Sequence, residues 1–122
     1  VAMNTNNGMI LITALIRPHM ESHVVRALHD LADFPGFTFD EVRGQGRGRG
    51  QGGTYVASDE DITYHQYLEL RVVCPMDQAA EICRRIEAAA WTGRKGDGVV
   101  YTIPVKTFAR IREAGAKEHR HD

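Results

Sequence analysis

The chain is short of the residues that build special scaffolds. Its two cysteines, Cys74 and Cys83, are too few for a disulfide framework, and both sit inside apolar patterns. They read as reduced thiols filling the core of a cytoplasmic protein. The longest apolar stretches, around Met9 to Leu11 and Ala14 to Ile16, fall far below the roughly 20 residues of a membrane-spanning helix. Neither sign of charge dominates: 15 Lys plus Arg against 16 Asp plus Glu give a formal net charge of −1. No global field therefore draws the protein to nucleic acid or anionic lipid, and any anion site has to be local. Catalytic signatures are also missing, with no nucleophile motif, acid/base pair or Cys-His spacing, and an enzyme is not expected. His19 and His23, and separately His119 and His121, lack the third and fourth ligands of a metal site.

What is present fits one compact domain. Of 122 residues, 43% are apolar, 25% are charged and 12 are glycine, which excludes both a disordered chain and a second core. The domain is expected over residues 9–115. Residues 1–8 read as a disordered extension or expression scar, with Met9 a plausible start, and residues 116–122 read as a polar tail.

Inside the domain a repeat shows in the punctuation. Pro18 follows the β-like run Ile10 to Arg17, and Pro75 follows a second such run, Tyr67 to Cys74; the prolines stand 57 residues apart (18 to 75). A helical stripe follows each: Val24, Val25, Leu28, Leu31 and Ala32 in the first unit, and Ala79, Ile82, Cys83, Ile86, Ala89 and Ala90 in the second. Gly36 and Gly93 close the two units at the same spacing of 57 (36 to 93), and each is expected to end its helix. A strand-like run comes next, Phe37 to Val42 and Val99 to Ile103. Two βαβ units of this size predict an α+β, ferredoxin-like split βαβ fold (βαββαβ). Its four-stranded antiparallel sheet carries both helices on one face. The strands alternate apolar residues with others that are also largely apolar, so the open face is expected to be covered by self-association.

Two glycine-rich segments interrupt this frame. Residues 44–53 hold six glycines in ten, together with Arg47 and Arg49, and they open a stretch of about twenty residues that no strand pattern claims. Glycine lets backbone approach a ligand closely, and the two arginines suit a small oxyanion. An RGG-like RNA contact is the rival reading. It is opposed by the acidic run Asp59, Glu60 and Asp61 and by the lack of an aromatic in the tract. Thr92 to Gly98 resembles a phosphate-cradling loop in composition, although it leaves a helix C-terminus, where the dipole does not help. Arg110 and Arg112, at i and i+2 of a strand or extended segment, would add positive charge on one side.

These residues together resemble the P-II signal-transduction family. Ile12 to Pro18 is similar to its opening strand, Glu41 to Arg47 to the motif before its T-loop, Thr92 to Gly98 to its B-loop, and Ala109 to Arg112 to its C-terminal segment. The resemblance implies a homotrimer that binds ATP, ADP or AMP in clefts between subunits. It implies no prosthetic group and no nucleic acid, with control of a membrane transporter or enzyme through the T-loop between strands 2 and 3. Carried over, Gly36, Thr38 and the backbone of Val73 hold the adenine, and Gly44, Gln45, Gly46 and Arg47 line the T-loop base. Gly96, Asp97 and Gly98 meet phosphate, Arg110 and Arg112 complete the charge, and Ile16 joins the nucleotide-binding set.

The chain also departs from the family. Val99 stands where the family has a phosphate-binding lysine, Gly48 where it has the glutamine that joins magnesium and 2-oxoglutarate, and Tyr67 where it has the lysine that pairs with 2-oxoglutarate. Glu60 replaces the tyrosine that some members uridylylate, whereas Tyr55 matches another T-loop tyrosine. These departures resemble P-II-like offshoots that are not nitrogen sensors proper. Arg47 and Arg49 incline the reading to bicarbonate and inorganic carbon, with nitrogen metabolism or heavy-metal transport as alternatives.

Overall fold

The structure, a computed structural model, describes residues 8–45 and 64–118. Its order is β1 (Met9–Ile16), a short 3-10 turn (Pro18–Met20), α1 (Glu21–His29), β2 (Thr38–Gly44), β3 (His65–Pro75), α2 (Met76–Ala90), β4 (Gly98–Val105) and α3 (Ile111–Glu118). The strands form one sheet in the order β2-β3-β1-β4, and every neighbouring pair is antiparallel. This is the expected split βαβ arrangement, with α3 added at the end.

Period-two alternation decides which side chains the sheet gives to the core. Ile10, Ile12, Ala14 and Ile16 of β1 and Leu68, Leu70, Val72 and Cys74 of β3 are buried in one cluster with Val24 and Leu28 of α1 and Ile82, Ile86 and Ala90 of α2. Both helices therefore cover the same face. Each fully buried isoleucine or leucine contributes about 1.5–3 kcal/mol of burial free energy. Arg85 ties the helices together, donating from Nη1 to the carbonyl of Ala27 at 3.1 Å and from Nε to Glu81 at 2.8 Å. Cys74 and Cys83 are both free thiols, and burial pushes Cys74 up to about 11, which keeps it protonated and inert.

The two glycines do not end their helices as expected. α1 stops at His29, and six residues separate it from Gly36. Pro35 cannot continue a helix and biases Phe34 away from helical backbone, while Asp33 already sits at φ 52°. Leu31 keeps its apolar contact with the core from outside the helix, which is why the stripe looked longer than the helix. α2 ends at Ala90, where Trp91 turns extended. Gly36 (φ 87°) and Gly93 (φ 82°) thus share a left-handed turn role in the connections to β2 and β4. The segment after β4 is a second correction: Arg112 lies in helix α3 and Arg110 just before it, so they do not share one side of a strand.

Candidate functional site

One end of the sheet gathers four chain segments. β1 finishes there at Ile16, opposite both Leu68 of β3 and Gly98, the first residue of β4. β2 finishes beside it at Gly44, opposite His65. The loop from Trp91 to Asp97 closes over this end.

A single carboxylate organises that loop. Asp97 accepts from the backbone N–H groups of Thr92 (2.7 Å) and Gly93 (3.1 Å), from the hydroxyl of Thr92, and from Arg17 Nε at 3.3 Å. The Thr92 hydroxyl oxygen accepts in turn from the N–H of Arg94 at 3.2 Å. Arg17 also donates through Nη2 to the carbonyl of Lys95. The Thr92 side-chain and backbone donors, helped by Gly93 and Arg17, hold the Asp97 carboxyl at about 2, below the usual carboxylate range. Because its carboxylate serves the loop, what Asp97 can offer an incoming anion is its backbone N–H.

Glycine is required at two of these positions. Gly96 sits at φ 85°, where a Cβ would lie 2.9 Å from Arg17 Nη2 and 3.7 Å from the Tyr67 hydroxyl. Gly98 sits at φ 115°, and a Cβ there would fall 1.7 Å from the carbonyl oxygen of Leu15. The loop backbone can thus pass tightly over the ends of β1 and β3.

These parts wall a cleft of about 560 Å³. Gly44 and Gln45 line one side, Gly96, Asp97 and Gly98 another, and Leu15, Tyr67 and Val99 the floor, with Arg43, His65 and Arg94 also on the lining. Arg43 lies over the Tyr64 ring at 5.8 Å. Beside the cleft runs a smaller crevice of about 170 Å³, lined by Arg17, His19, His65, Tyr67 and Lys95 among others and by no carboxylate. Backbone amides, guanidinium groups and a phenol around one opening suit a phosphate or carboxylate ligand.

Five of the expected nucleotide residues, Gly44, Gln45, Gly96, Asp97 and Gly98, meet in this cleft. Ile16 does not: its side chain is buried on the helix side, and its neighbour Leu15 faces the opening instead. Thr38 and Val73 lie further along the sheet, opposite Arg71 and Leu11 respectively, and Gly36 precedes them. Arg110 stacks on Phe108 at 5.4 Å, and neither Arg110 nor Arg112 lines the cleft. Gly46, Arg47 and Arg49 are outside the described residues. Arg17, Arg43 and Arg94 stand inside three of the resembling motifs but carry no assigned role there. The Arg17–Asp97 pair joins residues 80 apart, and only the register of β1 against β4 brings them together. Among the described residues no group of three or more His, Cys, Asp or Glu could hold a metal ion, and no helix is long and apolar enough to cross a membrane.

Fold and site together define a ferredoxin-like protein with an anion-receptive cleft at the sheet end. A family model described as "Nitrogen regulatory protein P-II" matches residues 9–115, and the chain belongs to that family, whose members are signal transducers and not enzymes. It is 38% identical over 101 residues to the nitrogen regulatory protein P-II of Microchaete diplosiphon, covering 83% of this chain and 89% of the relative. It is 30% identical over 110 residues to the nitrogen regulatory protein GlnK of Escherichia coli K12, covering 90% and 97%. A crystal structure of Arabidopsis thaliana PII bound to citrate superposes with a TM-score of 0.67 at 25% identity, covering 89% of this chain and 88% of that one.

Proposed function

We propose that the protein is a homotrimeric P-II regulator that binds adenine nucleotide in the cleft beneath the Thr92–Gly98 loop and acts on a partner through the segment between β2 and β3. The observation that carries this reading is the Asp97-braced loop, whose glycines face Gly44 and Gln45 across a cationic cleft. One chain brings together five of the expected residues and leaves Gly36, Thr38, Val73, Arg110 and Arg112 elsewhere, as a cleft completed by a second subunit requires. Exposed Val99, Tyr101 and Ile103 on β4 give such subunits an apolar surface to share. Light scattering is expected to give a trimer at micromolar concentration, and a monomer would refute the assembly.

The named relatives support a part in nitrogen regulation over the inorganic-carbon role suggested by Arg47 and Arg49. One observation keeps a different co-signal in view. Tyr67 lines the cleft in place of a lysine, so a dicarboxylate such as 2-oxoglutarate would lose a cation partner there. The carboxylate-free crevice beside the cleft leaves room for a small oxyanion, bicarbonate included.

Calorimetric titration separates these readings. Val99 is 55% exposed and carries no charge, and the loss of one charge-assisted hydrogen bond costs about 1.5–3 kcal/mol, so ADP or AMP is expected to bind at least as tightly as ATP. Val99→Lys should restore an ATP advantage of about tenfold. 2-Oxoglutarate is expected to leave nucleotide affinity unchanged, and bicarbonate to raise it with reciprocal coupling. A strong ATP preference that 2-oxoglutarate enhances would make this an ordinary nitrogen sensor.

A further inference from the structure

A second groove flanks the start of β4, and its chemistry is opposite to that of the cleft. It encloses about 340 Å³ and shares Leu15, Asp97, Gly98 and Val99 with the cleft. Glu87, Ala90 and Trp91 at the end of α2 and Val100 of β4 complete most of its wall. Consecutive side chains of a strand point to opposite faces, so a groove touching both Val99 and Val100 wraps the edge of the sheet, where β4 is the outer strand. Among the described residues no lysine, arginine or histidine lines it, whereas Arg43, His65 and Arg94 line the cleft.

Three features of the groove favour a cation. Trp91, the only tryptophan of the chain, is 70% exposed, an unusual position for so large an apolar side chain. Its indole is nevertheless held: Gly93, at φ 82°, brings the loop so close that a Cβ there would lie 3.1 Å from Cζ2 of the ring. Glu87 precedes Trp91 by four residues (87 to 91), the spacing that sets two side chains on one face of a helix. Other carboxylates are already matched. Arg71 joins Asp40 and Glu69 in a charged cluster on the open sheet face, and Glu81 of α2 pairs with Arg84 and Arg85. Asp97 is engaged by Thr92, Gly93 and Arg17. Glu87 is exposed, and among the described residues it has no hydrogen-bond or ion-pair partner. The third feature is the end of α2 itself, which is the negative pole of a 15-residue helix and has no basic residue in its last turn.

We propose that the groove between Trp91 and Glu87 is a docking site for an arginine side chain of a partner protein. A guanidinium there lies against the indole, the aromatic ring that best attracts a cation, and turns its fork of donors to the Glu87 carboxylate. Its aliphatic stem covers Ala90 and the valines of β4. Charge complementarity selects this occupant, because an acidic group would meet both Glu87 and the carbonyl end of α2. A groove this open encloses little of a free small molecule, so the arginine is one presented by a larger surface. The inference does not depend on what fills the cleft.

NMR titration of the isotope-labelled protein with N-acetyl-Gly-Arg-Gly amide tests it, set against the same peptide carrying citrulline, the uncharged isostere of arginine. With one tryptophan in the chain, the indole N–H signal reports binding at Trp91 directly. The arginine peptide is expected to shift that signal and the backbone signals around Glu87 saturably, and the citrulline peptide to bind about tenfold or more weakly. Glu87→Gln, an exposed change between two good helix formers, is expected to weaken the arginine peptide by about the same factor. The citrulline comparison uses wild-type protein alone, so it decides the matter even if the variant folds poorly. Equal affinity for the two peptides, unchanged affinity in a folded Glu87→Gln, or an indole signal that does not move overturns the site.

Discussion

Gly98→Ala is expected to be the most damaging single substitution at the site. Two penalties act together at that position: φ is 115°, where an L side chain is strained, and the new Cβ would fall 1.7 Å from the Leu15 carbonyl oxygen. The listener to that collision is backbone, which cannot swing aside as a side chain can. Gly98 is also the residue that starts β4 against Ile16, so relief means shifting the first rung of an edge strand and the loop attached to it. A cost of about 3 kcal/mol or more is expected. For a domain of this size that lowers the melting temperature by roughly 10 °C or more. Thermal unfolding followed by circular dichroism measures it. A melting temperature within about two degrees of wild type would mean that the loop does not cross β1 as described. Gly96→Ala should be milder, because there the nearest atom is the mobile end of Arg17.

The second large effect concerns Asp97. Asp97→Asn keeps the shape of the side chain but removes the charge that gathers the Thr92 and Gly93 amides, the Thr92 hydroxyl and Arg17. The loop glycines then lose their fixed position. Nucleotide affinity should drop by about tenfold or more while the far-UV spectrum is retained. The wild-type protein should show the same dependence as a function of pH. The folded carboxyl titrates at about 2, below its unfolded value near 4. Its contribution is therefore complete above about pH 4 and is lost as the pH falls toward 2. Acid titrations of wild type and Asp97→Asn should diverge in that window and run parallel above it. Parallel curves throughout would show that Asp97 is not the brace.

The legibility of this protein from sequence varied with the range of the interaction. Strand and helix order could be read because alternation in Ile10 to Ile16 and the stripe Ile82, Ile86 and Ala90 are local patterns imposed by one buried face. The end of α1 was hidden because Leu31 stays in the core after the helix has stopped. Arg110 and Arg112 were misplaced because two residues carry too little periodicity to tell an extended segment from the start of a helix. The glycines of the Thr92–Gly98 loop advertised a tight turn, yet its partner Arg17 could not be found, since an ion pair across 80 residues leaves no local trace. The charged cluster on the open face was invisible for the same reason. Asp40 and Arg71 meet only through the β2–β3 register.

The central claim is that nucleotide is held by an assembled cleft rather than by one chain. Native mass spectrometry of the 122-residue protein with ADP tests it most directly, because it reads oligomer mass and bound ligand in the same ion. The account predicts trimers that carry up to three nucleotides, with no nucleotide on dissociated monomers. Nucleotide bound at equal occupancy to monomer and trimer, or a trimer that takes up none at saturating ADP, would contradict it.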